Sequence, residues 1–198
     1  MSIKKQLKIG IVGSTGSVGN ISLNIISKYP DNFRVELLVC NKNYKSILAQ
    51  IKKFSPRYVF INNKKSFDLV KRKILNKKTI ILNDLEKFQK ILNSKLDKVI
   101  LAIPSFEGLS HALFFAKHSK ELLIANKESI ICGGAVLLNQ AKFHKCKITS
   151  IDSEHYCIAQ SLRENTMQEI KAVYLTASGG PFLGKSMSSY SKASIMRV

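Results

Sequence analysis

Leu7-Lys-Ile-Gly-Ile-Val12, followed by Gly13-Ser-Thr-Gly16-Ser-Val-Gly19, decides the fold. The first six residues form a short apolar run, a strand candidate. A Gly/Ser/Thr turn follows. Beyond it Val18, Ile21, Ile25 and Tyr29 recur at helical spacing until Pro30 and Asp31. A glycine turn between a first strand and a first helix is the context a dinucleotide site requires. Glycines let the backbone turn tightly and approach a pyrophosphate, and helix N-terminal N–H groups bind the anion. The spacing is Gly-x-x-Gly-x-x-Gly, with Thr15 where the strict fingerprint has glycine; Ser14, Thr15 and Ser17 add hydroxyl donors. A plain strand-to-helix connection is the alternative, and the βαβ context favours the dinucleotide.

Outward from this turn the pattern repeats. Short apolar runs at 35–40, 58–61, 79–82, 99–103, 122–125 and 148–151 predict further strands. Amphipathic stretches at 44–54, 66–75, 85–92, 109–118 and 135–143 predict helices between them. The alternation predicts an α/β fold, a Rossmann-like, doubly wound, mostly parallel sheet over residues 1–150. Residues 151–198 read as the beginning of an α+β catalytic domain. It opens with a helix at 153–162 and a strand at 172–176, then Ser178-Gly-Gly-Pro181. The polar stretch 183–198 is expected to be poorly ordered.

The 198 residues are 45% hydrophobic and 23% charged, enough for one full core, and no window reaches a membrane span. The short run at 7–12 does not make a signal-peptide core. The expectation is a cytoplasmic protein with no membrane partner. The formal net charge is +19, but arginine occurs only at 34, 57, 72, 163 and 197. Arginine is the preferred bidentate reader of bases and phosphates, so scattered lysines on solvated faces outweigh nucleic-acid binding. Cys40, Cys132, Cys146 and Cys157 show no zinc-type spacing and read as reduced structural thiols.

The end of the second strand selects the cofactor. An NAD site would place Asp or Glu there; here Cys40-Asn41-Lys42-Asn43 stands instead, with no carboxylate until Asp68. Lys42 would attract a 2′-phosphate that a carboxylate would repel, which predicts NADP. The alternative is one more surface lysine.

Three motifs follow strands. In Ala125-Asn126-Lys127-Glu128-Ser129, Lys127 can pair with a substrate phosphate or polarise a carbonyl; an exposed loop with a Lys–Glu pair is the alternative. In Ile151-Asp152-Ser153-Glu154-His155, an extended backbone would set Asp152 and Glu154 on one face to chelate Mg²⁺ or Mn²⁺. An acidic first turn of a helix is the alternative there. In Thr176-Ala-Ser178-Gly-Gly-Pro-Phe182, Ser178 suits a phosphate or hydroxyl contact, or a turn.

Together the motifs GSTGSVG, FRVELLVCNKN, FSPRYVFI, LLIANKES, IDSEHYCIAQSL and LTASGGPF resemble one family, 1-deoxy-D-xylulose 5-phosphate reductoisomerase. They stand in that family's order and span the chain up to Phe182. The resemblance implies NADPH-dependent rearrangement and reduction of 1-deoxy-D-xylulose 5-phosphate to 2-C-methyl-D-erythritol 4-phosphate, a step of isoprenoid precursor biosynthesis. It implies that Thr15, Gly16, Ser17 and Val18 hold the NADPH pyrophosphate. Asn41, Lys42 and Asn43 would meet the adenosine ribose and its phosphate, with Asn126 and Glu128 near the cofactor. Lys127 and His155 would be catalytic. Lys127, Ser153, Glu154 and Ser178 would bind the phosphorylated sugar, and Asp152 and Glu154 the divalent metal. Full-length members are homodimers.

Two departures stand out. Asn41 replaces a glycine usual in the family, a mild change because Asn tolerates positive φ. Members also run to roughly twice this length. The expectation is therefore an N-terminal half without a third metal carboxylate or a lid, catalytically incompetent alone. An NADPH-binding remnant without catalysis is the alternative.

Overall fold

The computed structural model describes residues 5–74, 78–92, 94–163, 168–174, 184–186 and 188. Seven strands form one sheet: β1 (Leu7–Val12), β2 (Phe33–Cys40), β3 (Tyr58–Ile61), β4 (Ile80–Leu82), β5 (Leu96–Leu101), β6 (Ser119–Ile124) and β7 (Lys147–Ser150). Their order is β4-β3-β2-β1-β5-β6-β7, and every pairing is parallel. The order reverses between β1 and β5, and the crevice at such a switch point is where open parallel sheets bind ligands.

The helices are α1 (Ser17–Ser27), α2 (Tyr44–Phe54), α3 (Lys64–Lys73), α4 (Leu85–Ile91), α5 (Gly108–His118), α6 (Lys127–Phe143) and α7 (Ser153–Ser161). Side chains alternate across the strands, so the sheet serves two cores. On one face Ile11, Leu38 and Val59 pack with Leu23 and Ile26 of α1, Ile47 and Ile51 of α2, and Phe67 of α3. On the other Val12, Leu37 and Val99 pack with Phe88 of α4, Phe115 of α5 and Leu137 of α6. Three helices cover each face, as winding outward in both directions from β1 requires.

The helical spacing of Val18, Ile21 and Ile25 is realised in α1, with these side chains exposed and Gly19, Leu23 and Ile26 buried. Two expectations are corrected. Residues 127–143 are helical with a break at Gly133 (φ −146°, ψ 24°), so a further helical segment precedes the expected 135–143. Residues 172–174 carry no strand, and 175–176 lie outside the described residues.

The chain divides into two compact units, Met1–Ser153 and Glu154–Val198. Within the second, α7 supplies the regular structure among the described residues. Among the described residues no helix is long and apolar enough to cross a membrane.

Candidate functional site

The glycine turn sits at the C-terminal end of β1, beside the end of β5. Gly13 has φ +87°, and a Cβ there would lie 2.6 Å from the Ala102 carbonyl oxygen. Both the conformation and the close approach of β5 therefore demand glycine. The Gly13 and Ser14 N–H groups both donate to the Val39 carbonyl at 2.9 Å, tying the turn to β2.

Gly16 differs. Its backbone is extended (φ −82°, ψ 178°), which any residue adopts, and a Cβ would come no closer than 3.4 Å to the Gly13 oxygen. The fold does not need this glycine, and the space over it is open. Gly16 is also the N-cap of α1 and makes no side-chain cap, so the first-turn N–H groups lack a capping partner. An anion placed here would meet the positive end of the helix.

Two cavities meet at this point. One, of about 370 Å³, is lined by Thr15, Gly16, Cys40, Asn41, Asn62 and His111 among others. The other, of about 300 Å³, is lined by Gly16, Ser17, Val18, Ala125, Asn126 and Glu128 together with Ala102, Ile103 and Pro104. Gly16 and the 102–104 segment belong to both. A molecule with two flat halves joined by an anionic bridge fits this layout, with the bridge at Gly16.

Of the residues singled out from the sequence, Thr15, Gly16, Ser17, Val18, Asn41, Asn126 and Glu128 line these cavities. Asn41 lines the first, while Lys42 is exposed beside it and its carbonyl accepts from Ser66 Oγ at 2.8 Å. Asn43 is the N-cap of α2, its Oδ1 accepting from the Ser46 N–H at 3.1 Å. Asn126 precedes α6 and is buried; its Nδ2 donates to the Ser105 carbonyl at 3.3 Å and to Ser129 Oγ. The Ser105 carbonyl can only accept, which fixes the amide and leaves Asn126 Oδ1 buried without a partner. Such an atom awaits a donor. Lys127 and Glu128 stand in the first turn of α6 rather than in a loop.

The acidic motif is placed differently from its extended reading. β7 ends at Ser150 and α7 begins at Ser153, so no extended run carries Asp152 and Glu154. Asp152 is buried at the junction and accepts from Ser150 Oγ. Glu154 and His155 belong to the first turn of α7. Both carboxylates are hard oxygen donors, and Mg²⁺ is commonly held by one or two carboxylates while keeping several waters. The donor set thus suits that ion, although no group of three or more His, Cys, Asp or Glu forms a metal cluster among the described residues. Ser178 lies outside the described residues.

Sequence reading missed Asn62, the 102–105 segment and His111, all lining the first cavity. Asn62 and Ala102 each directly follow a strand, and that position was the available signal. Burial lowers the His111 pKa, partly opposed by its contact with the Glu107 carbonyl, which favours the neutral imidazole. Burial pushes the Cys40 thiol up to about 12, which makes it inert as a nucleophile.

A profile of the 1-deoxy-D-xylulose 5-phosphate reductoisomerase family matches residues 9–134, and one of that enzyme's C-terminal domain matches residues 148–198. The reductoisomerase of Pelagibacter ubique is 38% identical over 190 residues, 95% of this chain and 49% of the relative. That of Sulfurihydrogenibium sp. is 41% identical over 180 residues, 90% of this chain and 44% of the relative. This chain therefore spans about half the length of these relatives. A crystal structure of DOX-P reductoisomerase in complex with NADPH, fosmidomycin and magnesium is 32% identical, with a TM-score of 0.77 over 96% of this chain and 50% of that one. With the parallel sheet, the glycine turn and the twin cavities, these matches assign the chain to the 1-deoxy-D-xylulose 5-phosphate reductoisomerase family.

Proposed function

We propose that this chain carries the NADPH site and the first metal and substrate ligands of a 1-deoxy-D-xylulose 5-phosphate reductoisomerase. Its reaction is the rearrangement and NADPH-dependent reduction of that sugar phosphate to 2-C-methyl-D-erythritol 4-phosphate. The observation that carries the reading is Gly16, open above its backbone and shared by two cavities at a helix N-terminus.

The N–H groups of Thr15, Ser17 and Val18, with the open backbone of Gly16 between them, line the pyrophosphate position. Asn41, Lys42 and Asn43 take the adenosine ribose and its 2′-phosphate, and Lys42 selects against the phosphate-free cofactor. Asn126 Oδ1 accepts from the nicotinamide half, with Glu128 beside it. Lys127 pairs with the substrate and supplies positive charge where the carbonyl develops negative charge. Asp152 and Glu154 hold Mg²⁺ or Mn²⁺, His155 stands beside them, and Ser153 and Ser178 bind the substrate. When bound, NADPH supplies the hydride and the metal supplies Lewis acidity. The protein works in the cytoplasm, full-length as a homodimer, with neither nucleic acid nor membrane as partner.

Fluorescence titration of the purified chain tests the cofactor reading. The expected result is saturable NADPH binding, with NADH weaker by about tenfold; no NADPH binding overturns it. A second reading is cofactor binding without turnover. NADPH oxidation on adding 1-deoxy-D-xylulose 5-phosphate and Mn²⁺ separates the two.

A further inference from the structure

Gln50 is the polar side chain of α2 that faces the glycine turn. It is buried, yet every hydrogen bond of its carboxamide goes to the turn and α1. Its Oε1 accepts from Ser14 Oγ at 2.8 Å. Its Nε2 donates to the Ser14 carbonyl at 2.9 Å and to Asn20 Oδ1 at 3.0 Å. Asn20 Nδ2 in turn donates to the Thr15 carbonyl at 3.2 Å. A buried carboxamide in an apolar helix–sheet contact costs stability unless its bonds are made. Here they are made to one backbone peptide and its flanks.

The consequence lies in the peptide plane. In a trans peptide the C=O of one residue and the N–H of the next point in opposite directions, and the described chain holds no cis bond. With the Ser14 carbonyl held by Gln50, the Thr15 N–H points away from α2. Thr15 lines the larger cavity, next to Gly16. Without Gln50 this plane has no partner on the α2 side and can rotate by a correlated change at Ser14 and Thr15, which withdraws the donor.

We propose that Gln50 is a positioning residue for the cofactor pyrophosphate. Its carboxamide grips the Ser14 carbonyl and hydroxyl and so holds the Thr15 N–H toward the anion. The inference rests on the NADPH reading above. Gln50 touches no ligand; it acts through Ser14. Because α2 also begins beside Asn41, Lys42 and Asn43, one helix both borders the 2′-phosphate position and orients the pyrophosphate donor.

Two ligands separate this role from a merely structural one. NADPH carries the pyrophosphate; adenosine 2′-monophosphate carries the ribose phosphate without it. Each is titrated into the wild-type chain and into Gln50→Met, which keeps length and volume but makes no such bonds. The expected result is NADPH binding weakened about tenfold, with adenosine 2′-monophosphate within about twofold of wild type. Equal loss of both ligands, or no loss of NADPH, overturns the proposal while the cofactor reading stands. A wild-type chain that binds neither ligand overturns that reading and this inference with it. If Gln50→Met does not fold, Gln50→Glu serves. It keeps the shape and the acceptor for Ser14 Oγ and lacks the donor for the Ser14 carbonyl. The same selective loss is expected, and the same two outcomes overturn it.

Discussion

A Cβ on Gly19 would lie 2.4 Å from the carbonyl oxygen of Gly13. The first turn of α1 therefore rests directly on the glycine turn, with no room for a side chain between them. This contact sets the rotation of α1, turning Leu23 and Ile26 inward and Ile21 and Ile25 outward. Gly19→Ala is expected to destabilise the fold by about 2 kcal/mol, through backbone displacement in a packed contact. Gly16→Ala is expected to cost less than about 1 kcal/mol while weakening NADPH binding about tenfold. Urea denaturation and cofactor titration of both variants check the contrast. Similar stability losses in the two would show that the glycines share one role.

Lys42 gives a charge test. Reversing it in Lys42→Glu places a carboxylate beside the 2′-phosphate position. NADPH binding is expected to weaken at least about tenfold, and NADH binding to change little. Lys42 is exposed, so the penalty should shrink as salt is raised from about 0.05 M to 0.5 M. Equal weakening of both cofactors would remove Lys42 from the phosphate.

Two histidines set an acid limit. Burial lowers the pKa of His111, and burial with the nearby Lys117, His144 and Lys95 charges lowers that of His118. The His118 Nε2 is buried without a partner, and its ring packs 4.6 Å from Phe114. Unfolded histidines titrate near about 6.5, so between that pH and the lowered values the unfolded chain binds more protons. Stability is then full above about pH 6.5 and falls as pH drops through the lowered values. His118→Leu should flatten that limb in a Tm-against-pH series. An unchanged slope would assign the loss to other groups.

Asp97 and Glu121 add a second, lower limb. Burial alone would raise both carboxyls, but the Lys120 side chain and the Lys8 N–H at Asp97, and Lys98, Thr149 and Lys147 at Glu121, hold both below their ordinary range. Their contribution is present above the ordinary carboxylate pKa of about 4 and fades as pH falls through the lowered values. Glu121→Gln should reduce this limb and leave NADPH affinity near neutral pH unchanged, because Glu121 lies away from the cofactor cavities.

The metal assignment has a direct readout. Asp152→Asn and Glu154→Gln are each expected to weaken Mn²⁺ binding about tenfold, seen as recovery of the free-ion EPR signal. Asp84→Asn, at the N-cap of α4, should leave the titration as it is in wild type. If Asp152→Asn and Glu154→Gln both bind Mn²⁺ as wild type does, the acidic motif is only the start of α7.

Much of the fold was legible before any coordinates. Each of the seven apolar runs corresponds to a strand within a few residues, and the central ones, buried on both faces, announce themselves by local composition. The glycine turn was legible for the same reason: tight turning and anion binding are properties of adjacent backbone units. The N-terminal reach of α6 was not. Its first two turns, with Lys127 and Glu128, carry two glycines, and Gly133 bends the helix where a Cβ would meet Leu109 of α5 at 2.5 Å.

What local pattern cannot carry is who meets whom. Helical spacing revealed α1 but pointed to its exposed stripe, since a contact between Gly19 and Gly13 chose the buried one. The partners of the site are remote in the chain: Ser14 and Gln50 stand 36 residues apart, Asn126 and Ser105 21 apart. Asn62 and His111 reach the same cavity only because β3 and β5 lie on either side of β1 and β2. Strands, helices and anion-binding turns follow from backbone sterics and side-chain periodicity over a few residues. Facing, burial and hydrogen-bond partnership follow from strand order and the twofold alternation across the sheet, which exist only once the chain is folded.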